Sequence, residues 1–379
     1  MESSQSVFDV VIIGGGLAGL SAAIHLRMHK VQVLLIEKND YPKHKVCGEY
    51  ISNEVLPYLD FLGIDVFSLG ATKITKFQLS SSKNRLVTSD LPLGGFGISR
   101  YTLDHALFLK AKELGAKVMQ DSVVGVKFSN DFFETETKLN EIVTSKIVIG
   151  SYGKRSLLDI KLDRHFIKNK SPYLAVKTHV TGNFPNDLVA LHNFEGGYCG
   201  VSKVEDDTVN ICYITDFEAF KNFKDIEEFQ EQIIYQNKFL KAIFKETKPV
   251  FEAPLTISQI SFESKSPVEN HILMCGDSAG MIHPLCGNGM SMAIRSAQIA
   301  SDLIIDYLHK KNASRDLLEQ SYASAWNAAF SYRLKVGHYV ANIFRNSSVT
   351  NIAIRLLKIV PFIIPAIIRR THGKYMIVK

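Results

Sequence analysis

The sequence predicts an α/β protein: a parallel β-α-β unit, an antiparallel β-sheet inserted into it, and a helical C-terminal region. Three observations predict this. The chain opens on FDVVIIGGGLAGLSAAIHLRMHKVQVLLIEK: an apolar run, a glycine cluster, a small-residue helical pattern and a second apolar run. Much further along, a third apolar run, HILMC, leads into another glycine-rich turn, GDSAGMIHPLCGNGM, and then a helical pattern. Between them, short runs at 72–79, 84–88, 173–180, 188–201 and 208–215 carry the alternation of half-buried antiparallel strands.

The first run, 8–13, is apolar apart from Asp9, as a buried parallel strand requires. Gly14, Gly16 and Gly19 follow as G-x-G-x-x-G. Gly14 permits the tight turn, Gly16 lets the backbone approach a pyrophosphate, and Gly19 lets the helix at 17–29 pack close to the sheet. The second strand, 31–36, ends at Glu37, placed to accept hydrogen bonds from a ribose 2′-OH and to repel a 2′-phosphate. This dinucleotide fingerprint is compatible with FAD or NAD. The second glycine-rich turn argues for the longer cofactor, FAD, reaching across both turns. Asp277 would meet its ribityl or pyrophosphate portion. After Pro284, the amides of Gly287, Asn288, Gly289 and Met290 open a helix toward the N1–C2=O edge, where donors and a helix dipole stabilise charge on reduction. Leu17, Ala18 and Lys38 complete the candidate contacts of the first unit.

The expected fold is therefore a FAD-binding Rossmann-like (βαβ, GxGxxG) domain in three pieces, 1–70, 92–165 and 265–310. An inserted antiparallel β-sheet substrate domain takes 71–91 and 166–264. The stretch KDIEEFQEQIIYQNKFLKAIF reads as one helix on the back of that sheet. A helical C-terminal region with a basic apolar tail follows, 311–379.

The net charge of +6 is unevenly spread. From Ser321 onward there are nine Lys/Arg and no Asp or Glu, so the rest of the chain carries −3. This tail contains NIAIRLLKIVPFIIPAIIRR. Its apolar run is too short to span a bilayer and holds Pro361 and Pro365. Two readings stand: an interfacial segment at 351–370 resting on anionic lipid, or a helix covering the core or a ligand tunnel. The cations are mixed with aliphatic residues, so no nucleic-acid partner is expected. The five cysteines are scattered without a C-x-x-C pair, which gives no support to a zinc or iron–sulfur site and suits a reducing cytoplasm. No secretory signal precedes the first strand, so a cytoplasmic location is expected, with peripheral membrane contact under the first reading of the tail.

Taken together, these motifs resemble the FAD-dependent oxidoreductases of the p-hydroxybenzoate hydroxylase fold, and most of all their geranylgeranyl reductase-like branch. The resemblance rests on GGGLAG with Glu37, on PKHKVCGEYIS, on GISRYTLDHALFLKAKELGAKV, on IVIGSYGKRS and on GDSAGMIHPLCGNGM. It implies Lys45, Cys47, Gly48, Arg100 and Val124 as further cofactor contacts, and Tyr198 and Gly200 as substrate wall. No catalytic residue is assigned; Cys47, Glu49 and His283 are candidates, Glu49 either as an acid or as a residue orienting its loop. There are departures from the family pattern. Tyr152 stands where the family has an acid, Gly280 where many hydroxylases have His, and Gly200 and Ser202 where reductases have large rings. The one tryptophan, Trp326, does not form the W-x-W-x-I-P of flavin halogenases.

The implied function is a FAD-dependent oxidoreductase that reduces C=C bonds of a hydrophobic isoprenoid, lipid or polyketide-like substrate. Two alternatives remain open: a FAD-dependent monooxygenase of aromatic or polyketide substrates, and a flavin-binding electron carrier or scaffold. With a single nucleotide fingerprint, NAD(P)H would act as a transient reductant, or a separate reductase would donate electrons.

Overall fold

A computed structural model describes residues 7–169, 172–258, 260–310, 312–345, 347–360 and 362–378. Pro361 of the tail lies outside the described residues.

The opening motif folds as β1 (Phe8–Ile13), α1 (Leu17–Met28) and β2 (Val33–Ile36). The first two strands pair in parallel, Val10 with Val33 through Ile13 with Ile36. Ile142–Gly150 joins the other edge of β1 in parallel, Ile272–Met274 joins that strand, and Lys117–Met119 joins β2. A hairpin of Val123–Ser129 and Phe132–Thr137 extends the antiparallel side through Ile142–Gly150. The aliphatic residues of these strands are buried, as a parallel sheet covered on both faces requires. On one face α1 packs against the Gly289–His309 helix, and the Arg315–Arg345 helix lies beyond it.

Among the described residues the second sheet has nine strands. Its path runs Lys248–Pro249, Tyr173–Thr181, Thr208–Asp216, Gly197–Lys203, Leu188–Phe194, Thr72–Ser80, Leu86–Gly97 and Tyr50–Ser52. Leu255–Ser258 also pairs with Tyr173–Thr181. The apolar stretch at 188–201, read as one run, is a hairpin, because Gly196 turns the chain at φ +82°. Its strand period of two sorts the side chains. Val176, Val180, Cys199, Val201, Ile211 and Tyr213 form one core with Phe229 and Leu240 from the helical layer behind. Ala175, Tyr198 and Ile214 face the other way, toward Met281, Ile354 and Ile364.

That helical layer differs from the single helix expected. It is Ile226–Gln232, a short turn, and Lys238–Glu246. Asn237 causes the break. Its side-chain oxygen accepts from the Phe239 and Leu240 amides, and its NH₂ donates to Ser80, Ser81 and Asn193. An asparagine with tertiary partners prefers to cap a new helix rather than continue an old one.

Candidate functional site

The glycine loop is tight for reasons visible atom by atom. Gly14 has φ +102°, and a Cβ there would lie 2.5 Å from the Ser151 carbonyl oxygen. A Cβ on Gly19 would overlap the Gly14 carbonyl. Gly16 is the N-cap of α1, with no side-chain cap and no acid in the first turn. The unpaired amides of this helix start are therefore free to meet an anion. Leu17 and Ala18 begin the helix and are buried.

Glu37 directly follows β2 and accepts from the Gly15 amide (2.7 Å) and from Asn39. Its charge thus ties the strand end to the glycine loop. Lys38 beside it is exposed. Tyr41 donates to the Gly15 carbonyl (2.5 Å) and stacks on Phe108. Val124 sits at a register irregularity in the Val123–Ser129 strand.

Arg100 lies on the other side of the loop, at the first position of the Arg100–Glu113 helix, with Nη2 3.7 Å from where a Gly16 Cβ would be. Asp104, one turn on, takes two bonds from Arg100, each 2.7 Å, and one from Lys45 (2.8 Å). Burial would raise the Asp104 carboxyl, but the two cations outweigh it and hold its pKa below the usual range.

The segment around Cys47 connects both sheets. Glu49, in the left-handed region at φ +53°, is fully buried. Its Oε1 accepts from Lys177 Nζ (2.5 Å) and the Arg100 amide (2.8 Å), and Oε2 faces His179 Nε2 at 2.7 Å. Burial opposes ionisation here, yet the bond from His179 and the charge of Lys177 keep the pKa lowered. Both carboxylate oxygens are engaged, so Glu49 orients this loop. Lys177 also donates to the Lys45 carbonyl (3.1 Å). Cys47 is half-buried, with its sulfur 3.5 Å from that of Met290. Gly48 is exposed, and a Cβ there would meet nothing within 4 Å.

The second glycine-rich turn closes the same region. Gly276 and Gly287 have φ +61° and +63°. Gly276 lies against Ala18, and Gly287 lies against Tyr50. Asp277 is half-buried in a short turn, its carbonyl accepting from Lys265 (2.7 Å). Pro284 starts another turn, Asn288 precedes the helix that Gly289 and Met290 begin, and the Asn288 side chain donates to the Thr371 carbonyl (2.8 Å).

Lys177, His179 and Asn210 were not foreseen; Ser202, already noted as small where reductases have a large ring, lies with them. The pairing aligns Lys177 with Cys212 and Gly200, and His179 with Asn210 and Ser202, on the sheet face that Lys177 and His179 turn toward the Cys47 loop. Asn210 donates to the Cys47 carbonyl (3.3 Å), while its own oxygen and the Ser202 hydroxyl are buried without a partner among the described residues. Charged residues two apart in an otherwise apolar strand are the sequence signal for such a face.

These features fit FAD. An uncapped helix start beside a half-buried arginine suits a diphosphate, and partnerless polar groups beside an open glycine suit a polar-edged ring.

A cavity of about 880 Å³ lies beyond the second glycine turn. Tyr173, Tyr198, Phe262, Met281, His283 and Trp326 are among its lining residues. Gly200, one alternation from Tyr198, is not. His283 has its Nδ1 3.5 Å from the Tyr198 hydroxyl, and burial lowers its pKa to about 4. It is neutral at pH 7. Tyr152, in the acid's place, donates to Asp159 (3.2 Å), itself paired with Arg164.

This fold and site define a flavoprotein of two-sheet architecture. The chain belongs to the FAD binding domain family, whose pattern matches residues 7–329, and it is a FAD-binding oxidoreductase. It is similar to conditioned medium factor receptor 1 of Dictyostelium discoideum, at 22% identity over 88% of this chain and 70% of that protein. It is also similar to digeranylgeranylglycerophospholipid reductase of Methanosarcina acetivorans, at 23% identity over 90% of this chain and 86% of that one. Among solved structures, the flavin-dependent brominase Bmp2 superposes with a TM-score of 0.75 at 18% identity, covering 93% of both chains. A geranylgeranyl bacteriochlorophyll reductase-like protein of Thermoplasma acidophilum superposes at 0.71 and 18%, covering 90% and 88%. The two likenesses share the fold and differ in chemistry, so the reaction must be argued from this chain's own residues.

Proposed function

We propose that this protein reduces C=C bonds of a hydrophobic, isoprenoid-like substrate held in the cavity beside the second glycine turn. The carrying observation is the cavity itself: about 880 Å³, with Tyr173, Tyr198, Phe262 and Trp326 in a wall that takes in Ala279, Gly280, Met281, His283 and Leu285 of the second glycine turn. The names of the reductase relatives agree with this wall in pointing to prenyl-lipid substrates. FAD, when bound, supplies hydride transfer, with NAD(P)H as the proposed transient reductant.

The chain's part is to bind, to orient and to exclude water. Arg100 and the α1 amides anchor the diphosphate. The Glu49–Lys177–His179 network fixes the Cys47–Gly48 backbone. Tyr198 stays a phenol, because burial pushes its pKa well above the ordinary value. With His283 neutral, these two wall groups present little charge to an alkyl chain. Lys265 also lines the cavity, donating to the Lys154 and Asp277 carbonyls, and burial draws its pKa down to about 8. It holds a proton at Nζ at neutral pH that a reduced carbon could receive.

The test is anaerobic. The reduced holoprotein is mixed with a geranylgeranyl-bearing glycerolipid, and flavin absorbance and product mass are followed. Return of the oxidised spectrum together with a gain of two hydrogens per double bond is expected. Reoxidation that occurs only with oxygen, accompanied by a hydroxylated product, would overturn the reading in favour of a monooxygenase.

A further inference from the structure

The C-terminal helices turn apolar side chains both inward and outward. In Ser347–Ile359, Ile354 is buried and Leu357 packs beside it, in one cluster with Tyr198, Ile214 and Met281 of the cavity side. In Ile363–Thr371, Ile364 is buried in the same cluster. The outward face is also apolar. Ile352, Leu356 and Ile359 form a stripe at helical spacing, exposed by 61%, 56% and 71%, and Phe362 at the bend is 74% exposed. Arg355, Lys358, Arg369 and Arg370 are exposed around them. The segment from Ser321 onward contains no Asp or Glu.

A contiguous exposed apolar stripe in a folded chain marks an interaction surface. The segment's own charges are all cationic, which favours an anionic partner. Among the described residues no single helix is long and apolar enough, and the two arms are bent by 117°. Each arm is about 14–20 Å long, short of the roughly 30 Å hydrocarbon core, and each has its inner side committed to the sheet.

We propose that this bent helix pair is a docking surface for an anionic phospholipid bilayer. Ile352, Leu356, Ile359 and Phe362 enter the acyl boundary, and the four cations meet the headgroups. Because the inner sides of the same helices share a cluster with the cavity wall, docking sets that wall against the bilayer. The proposal does not depend on the reductase reading.

The FAD-loaded full chain is sedimented with vesicles of phosphatidylcholine alone and with vesicles containing roughly one-third phosphatidylglycerol. Binding to the anionic vesicles that weakens with salt is expected. The triple variant Ile352→Glu, Leu356→Glu, Ile359→Glu should keep its bound flavin and lose binding by about tenfold or more. Arg369→Gln with Arg370→Gln should weaken binding to the anionic vesicles alone. Wild-type protein that stays in the supernatant overturns the proposal, as does a flavin-loaded triple variant that binds like wild type. Self-association without vesicles that the triple variant abolishes also overturns it, making the stripe a protein–protein interface.

Discussion

Glu49 shows how one residue can hold a site without doing its chemistry. Glu49→Gln would keep the shape but leave Lys177, which is fully buried, without its counter-charge. Breaking a buried pair this way costs about 3–5 kcal/mol, read as a lower urea midpoint, and the loosened Cys47 loop should bind FAD less tightly. Replacing Lys177 by Met in the same protein should recover part of the stability. At the first glycine, Gly14→Ala adds a Cβ against the Ser151 carbonyl in a left-handed conformation. That variant should purify without its yellow colour. Lys265 gives a kinetic signature: its proton is lost as pH rises through about 8, so turnover should fall above that pH. Lys265→Met should be slow and lack that limb in a pH–rate profile.

At the scale of elements, the last residues behave as a strap. Met376 donates its amide to the Glu54 carbonyl (2.9 Å) and buries its side chain in the core of the flavin-binding sheet. Gln298 donates to the Ile377 carbonyl (2.8 Å), and Asn288, at the start of the second-turn helix, donates to the Thr371 carbonyl. Burial raises the Glu54 carboxyl, although Arg333 pairs with it at 3.3 Å. Removing residues 372–379 would uncover this pair and leave Gln298 without the Ile377 carbonyl. A thermal melt should show a loss of several degrees, with weaker retention of FAD, since a few kcal/mol is a large share of a domain's stability. Such a strap was legible only as an apolar, basic tail. On the strap's side most of these bonds use backbone carbonyls and amides, which leave no mark in its side-chain identities.

At the scale of the whole molecule, buried neutral histidines set the acid limit. His192 is buried, stacks on Phe239 and faces the Ser80 hydroxyl at 2.8 Å; burial lowers its pKa to about 4 from 6.5. The unfolded chain binds that proton more readily. The stabilising contribution is therefore complete above pH 6.5 and is lost as pH falls from there to about 4. One such group accounts for up to about 3 kcal/mol. His25, buried beside Tyr58 and His29, shifts the same way. Urea midpoints should fall steeply between pH 6.5 and 4, more gently in His192→Gln. A flat profile across that window would contradict the buried neutral form.

Local pattern was enough to read the β-α-β unit, the second glycine-rich turn and the alternating strands from sequence. Each is written by neighbours in the chain: the φ that only glycine tolerates, the period of two, the helical stripe. FAD as cofactor came from the pairing of two glycine turns, because a long ligand needs two anchors. What only the tertiary structure decided are the partnerships between distant residues. Asn237 breaks a helix because Ser80, Ser81 and Asn193 happen to surround it. Lys177 and His179 matter because strand register turns them toward Glu49, more than a hundred residues earlier. The tail's two readings also needed coordinates: its inner side covers the sheet, while its outer side remains apolar and cationic. Sequence periodicity shows that a face is apolar, but burial on that face depends on what the rest of the chain brings to it.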